Sequence, residues 1–189
     1  MRRALASSIL AGLIGVVLAG AGHGAARADE RPTTPYFQLG PVVVHGNEAD
    51  ALMLGLGAFD PFKESCDGSA AATLDYRLGR KLFVIGPAIG GMANTDGGLF
   101  GYFGLYSDIS VGKVYFTPML ALGGYHQGDS KDLGGVFQFR ESAELAYRFD
   151  NGQRLGFRVA HISNAHIHEY NPGEEEYYLT YAIPLGPLF

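Results

Sequence analysis

Residues 137–163 read FQFRESAELAYRFDNGQRLGFRVAHIS, and the way they alternate decides the fold. Successive side chains of a β-strand point to opposite faces, so a period of two marks a strand with two different environments. Phe137, Phe139, Ala143, Leu145, Tyr147 and Phe149 share one face, and Gln138, Arg140, Ser142, Glu144, Ala146 and Arg148 share the other. After Asp150-Asn151-Gly152 the alternation resumes, with Leu155, Phe157 and Val159 opposed by Gly156, Arg158 and Ala160. Apolar residues therefore stand at odd numbers on both arms. A two-residue Asn-Gly loop would pair odd with even and mix the faces. A three-residue loop, with Gly152 in the left-handed conformation, keeps them matched. In that register Glu144 lies opposite Arg158, an ion pair on the polar face. Arg148 lies opposite Arg154, which requires solvent or a further acid between them.

Working outward, the same pattern recurs between Gly, Asn and Asp turns at 50–59, 70–78, 82–93, 99–109, 113–125, 135–149, 153–165 and 174–184. Alternating segments of about ten residues, without any apolar stretch long enough for a spanning helix, mark a transmembrane β-barrel. The reading is all-β: an eight-stranded antiparallel transmembrane barrel over residues 48–189, with an interior filled by side chains and no pore. The closing Phe189 suits a bacterial barrel. A soluble secreted β-sandwich is the rival fold. Residues 36–45, with Val42-Val43-Val44, could add a ninth strand. Pro35 and Pro41 cannot donate to a central ladder, and an odd count is unusual for a single-chain barrel. Residues 29–47 are therefore assigned to an N-terminal periplasmic segment.

Residues 1–28 read as a secretory signal: Arg2 and Arg3, an apolar run from Ala4 to Gly20, and an Ala26-Arg27-Ala28 cleavage site. Three of the 14 basic residues fall in that leader and none of the 19 acidic ones. The exported chain is thus clearly acidic, which argues against a nucleic-acid partner. Cys66 is the single cysteine, so no intramolecular disulfide can form.

The hairpin register also fixes what faces lipid. Leu155, Phe157, Val159, His161 and Ser163 lie on one stripe, and a His/Ser pair is out of place on an apolar face. From Gly152 to His161 the strand runs about 30 Å, and a tilt of roughly 40° turns that into a climb of about 23 Å. The apolar band is itself about 25 Å tall. With the tight Asp150-Asn151-Gly152 turn on the periplasmic side, the pair reaches the outer leaflet. A histidine beside a serine, with a carboxylate to orient the ring, makes a nucleophilic hydrolase. Two acids qualify on parity. Glu175 shares its face with Tyr177, Leu179, Tyr181 and Ile183, which excludes Glu174 and Glu176. Glu141 is the one polar residue on the outward face of 137–149 and lies opposite His161. Glu175 is favoured, with Glu141 as auxiliary or alternative acid. His161, His166, His168 and Glu169 could suggest a metal, but His161 differs in parity from the other two histidines, so no metal site is assigned.

The chain resembles the lipid A 3-O-deacylase family of outer-membrane enzymes, described as PagL-like. The resemblance rests on Phe139-Arg140, Tyr147-Arg148-Phe149-Asp150-Asn151-Gly152, His161-Ile162-Ser163-Asn164-Ala165, Asn171-Pro172-Gly173, Glu175 and Tyr181-Ala182-Ile183-Pro184. It covers the last 55 or so residues well, and the N-terminal half only in strand layout. The resemblance implies Ser163 as nucleophile, His161 as base, Glu175 as acid and Asn164 as an oxyanion-stabilising residue. His166 departs from the small residue often found after Asn-Ala in the family. It further implies hydrolysis of the 3-O-linked acyl ester of lipid A or lipopolysaccharide in the outer leaflet, without cofactor, in the cell outer membrane. A homodimer is left open. The alternatives are a non-catalytic structural or surface-binding barrel and a phospholipid-hydrolysing barrel.

Overall fold

The structure, a computed structural model, describes residues 35–62 and 68–185. The leader at 1–28, Cys66 and Phe189 lie outside the described residues. Eleven strands follow one another: β1 (Pro35–Leu39), β2 (Val42–His45), β3 (Asp50–Phe59), β4 (Ser69–Arg77), β5 (Gly86–Asn94), β6 (Leu99–Tyr106), β7 (Ile109–Val111), β8 (Val114–His126), β9 (Phe137–Arg148), β10 (Arg154–Ser163) and β11 (Glu174–Leu185). All pairings are antiparallel, and β11 returns to β3, closing the sheet. Strands β6 and β7 run along the same partner, β8, and act as one wall strand interrupted at Ser107-Asp108. The wall thus has eight strands.

The hairpin of β9 and β10 has the register read from the sequence: Glu144 faces Arg158, Glu141 faces His161, and Arg154 faces Arg148. Its turn is the three-residue loop, closed by Phe149 N–H donating to the Gln153 carbonyl at 2.8 Å, with Gly152 at φ +81°. Lys113 donates to Asp150 at 2.6 Å across the same end of the barrel and holds that carboxyl below its usual range.

Odd-numbered residues of this hairpin point outward and even-numbered ones inward. Leu145 and Phe157 are exposed, whereas Arg140, Glu144 and Arg158 are buried. The interior holds charge largely in ion pairs. Arg158 donates twice to Glu144, at 2.8 and 3.0 Å, and once to Asp75 at 2.6 Å. Arg140 donates to Glu176 at 2.6 Å, and Tyr178 donates to the other oxygen of the same carboxylate. Buried ions persist only when paired and hydrogen-bonded in this way. The Arg148/Arg154 juxtaposition is relieved by acids from elsewhere: Arg154 donates to Asp108 at 2.8 Å and to Glu48 at 3.1 Å, and lies over the Tyr115 ring.

Two readings change. The segment read as a strand from 82 begins at Gly86, because Leu82 and Ile85 exchange backbone hydrogen bonds in a tight turn with Phe83 at φ +57°. The 29–47 segment contains a real hairpin, β1–β2, which pairs through β2 with β7 alone. It is an extension of the wall and not a ninth wall strand. The prolines fit because Pro41 sits in the turn and Pro35 at the start of an open-edge strand, where no ladder N–H is needed.

Candidate active site

β10 carries His161 and Ser163 to the end of the barrel opposite the Asp150-Asn151-Gly152 turn. There His161 has a carboxylate on each side, Glu175 on β11 and Glu141 on β9, both directly opposite it in register. One of them makes contact: His161 Nδ1 lies 2.8 Å from Glu175 Oε1. Both side chains are open on the outer surface, 40% and 53% exposed, and Nε2 of the ring makes no hydrogen bond among the described residues. Glu174 and Glu176 are buried, as their parity requires. Glu141 is outward and makes no hydrogen bond among the described residues. Ser163 stands two residues beyond His161 on the same face, one pleat repeat or about 6.6 Å along the strand, opposite Phe139. Among the described residues no hydrogen bond joins the Ser163 hydroxyl to His161; in unliganded sites such contacts are commonly long and tighten with substrate.

The loop from Asn164 to Gly173 shapes the top of the site. Gly173, at φ +60°, packs against the histidine ring, and a Cβ there would come within 2.8 Å of His161 Cε1. Only glycine fits that approach. Asn164 is fully buried and belongs to the inner face. Its Nδ2 donates to the carbonyls of Leu133 at 2.8 Å and Tyr170 at 2.7 Å, while its backbone N–H donates to Asn171 Oδ1 at 2.9 Å. Both amide protons are thus committed to holding the 127–136 and 164–173 loops together. This differs from the oxyanion role implied for the side chain. Ala165 and His166 follow at φ +50° and +60°, a left-handed conformation that glycine adopts freely and histidine more often than most other residues. Asn171-Pro172-Gly173 enters the sequence reading through the family resemblance, since by itself it signals only a turn; its contacts with Asn164 and His161 come from the structure.

From His161 and Glu175 a groove of about 540 Å³ runs sideways over the outer surface. Its floor is shallow where Val159, Ala143 and Pro118 lie in one cross-strand row. Leu120 and Leu105, in the row of Glu141, form part of its wall. The lining is mainly apolar, with Glu141, His161 and Glu175 together at one end and Ser107 and Ser142 as its other small polar residues. No group of three or more potential metal ligands occurs among the described residues.

A chain with these features has the architecture of a membrane β-barrel with a His161–Glu175 pair on its outer wall. The family model described as lipid A 3-O-deacylase (PagL) matches residues 65–184, and the chain belongs to that family. It is 38% identical over 65 residues to the lipid A deacylase PagL of Pseudomonas aeruginosa, a stretch covering 34% of this chain and 37% of that one. It is 41% identical over 51 residues to the lipid A deacylase PagL of Bordetella bronchiseptica, covering 27% and 29%. The matched stretches span about a third of these relatives' lengths. The solved structure described as the outer membrane enzyme PagL superposes with a TM-score of 0.52 at 18% identity, over 71% of this chain and 99% of that one. That likeness is one of fold.

Proposed function

We propose that the protein is an outer-membrane ester hydrolase that removes the 3-O-linked acyl chain of lipid A through Ser163, His161 and Glu175. The observation that carries this reading is the 2.8 Å His161–Glu175 contact on the lipid-facing wall, with Ser163 on the same face. A structural barrel has no use for such a pair there. With substrate bound, His161 takes the Ser163 proton as the Oγ attacks the ester carbonyl. Glu175 holds the ring with Nε2 toward the serine and stabilises the imidazolium. The carbonyl–oxygen bond to the sugar then breaks, and His161 returns the proton to the departing hydroxyl. Water, activated by the same histidine, releases the fatty acid and restores Ser163.

The tetrahedral oxygen needs preorganised donors. With the Asn164 amide committed to two carbonyls, the backbone N–H groups of Ala165 and His166 are assigned that role. The groove beside His161 holds acyl chain, and the outer leaflet supplies the substrate from the side. The export signal at 1–28 and the outer membrane as destination follow from the same reading.

Mass spectrometry of lipid A from cells expressing the protein tests it. Wild type should convert lipid A to a species lighter by one 3-O-linked acyl group, and Ser163→Ala should not. Unchanged lipid A with released phospholipid fatty acids would instead favour the phospholipid-hydrolysing alternative.

A further inference from the structure

The β1–β2 hairpin lies outside the family match and outside the wall, and its two faces differ. On β2, Val42 and Val44 stand beside Val111 and Ile109 of β7; on β1, Leu39 and Phe37 stand beside Val42 and Val44. The same cross-strand rows continue into Val114 and Phe116 of β8, then Tyr147 and Leu145 of β9. The outer face of the hairpin is therefore the lipid-facing face of the barrel, prolonged by two strands. Phe37 is 56% and Leu39 69% exposed. The sequence PYFQLGPVVV of residues 35–44 has no charged side chain. The opposite face is pinned to the barrel: His45 stacks on Tyr115 and makes a 2.8 Å hydrogen bond with Ser110. Beside the hairpin, Tyr36 meets Phe83 edge-on, and Leu82 and Phe83 project from the β4–β5 turn into solvent-accessible space.

We propose that this outer face is a lipid-docking surface, seated at the boundary of headgroups and acyl chains in the leaflet opposite Ser163. The proposal rests on the reading of the chain as a membrane barrel. Continuity with the apolar wall selects lipid as occupant, since a contiguous apolar surface this close to the belt would otherwise face water. The free edge of β1 sets the depth. Unpaired backbone groups do not stand in hydrocarbon. Cross-strand rows that start high on β10 end low on β5, so each sideways step at a tilt of about 40° drops about 3 Å. β1 is thus the lowest strand, close to the level of the Asp150-Asn151-Gly152 turn, with its open edge among the headgroups and its outer face at their boundary with the acyl chains.

The test uses the full exported chain with Cys66→Ser, carrying Phe37→Cys, Leu39→Cys, Gln38→Cys or Leu145→Cys, each labelled with an environment-sensitive fluorophore. The proteins are placed in phospholipid nanodiscs at one copy per disc, with and without bromine-bearing acyl chains, and folding is checked by heat-modifiable mobility. Labels at positions 37 and 39 should emit to the blue and be quenched by bromine, though less than at 145, while the label at 38 on the opposite face keeps water-like emission. Water-like emission at 37 and 39 beside a quenched 145 overturns the proposal and leaves the barrel intact. Burial at 37 and 39 only in discs holding two copies overturns it in favour of a second copy as occupant. Water-like emission at 145 would overturn the membrane-barrel reading itself.

Discussion

Two glutamates three residues apart on β9 face two basic side chains on β10, and the two pairs live in different worlds. Glu144 looks inward to Arg158, takes two hydrogen bonds from it, and lies 3.5 Å from Arg77. Glu141 looks outward to His161, which is already held by Glu175. The inner pair is closed on itself. The outer histidine is hydrogen-bonded among the described residues through Nδ1 alone. On a barrel, residue parity alone separates charge that fills a core from charge left available for chemistry.

Breaking the outer set should cost activity without stability. Ser163→Ala and His161→Ala should each lower ester cleavage by about 10⁴-fold or more, read as fatty acid released from purified lipid A, with unchanged heat-modifiable mobility. Breaking the inner set should do the reverse. Arg158→Ala leaves Glu144 and Asp75 buried without their main cation, and should cost about 3–5 kcal/mol, read as a lower unfolding midpoint in detergent. The smallest effect sharpens the comparison. Glu141→Ala should lower cleavage about tenfold, or about 1.4 kcal/mol on the barrier, because that carboxylate flanks His161 without touching it. An inactive, folded Glu141→Ala beside a nearly normal Glu175→Ala would reassign the orienting acid.

Much of this contrast was legible in the sequence because it depends on a period of two and one turn. Phe137 to Ser163 alternates cleanly, and Gly152 supplies the left-handed residue that fixes the register. The N-terminal hairpin was harder to read. Pro35 and Pro41 argue against a strand in a central ladder, and only the structure shows that they fall in a turn and on an open edge. The roles of Asp108 and Glu48 beside Arg154 were hidden for a different reason: they come from connecting segments, whose position no periodicity reports. The packing of Asn164 was not legible either. Its partners are backbone carbonyls of Leu133 and Tyr170, which leave no mark in the residue pattern.

The most direct test compares neighbours of opposite parity on β11, Glu175→Ala and Glu176→Ala, by activity per folded molecule. Glu176 is buried against Arg140 at 2.6 Å, so its loss should lower stability while folded molecules still cleave lipid A. Glu175 should be the converse, losing at least about 10²-fold in cleavage with little change in unfolding midpoint. Folded Glu176→Ala that is inactive, beside Glu175→Ala at near wild-type rate, would contradict the outward-facing site.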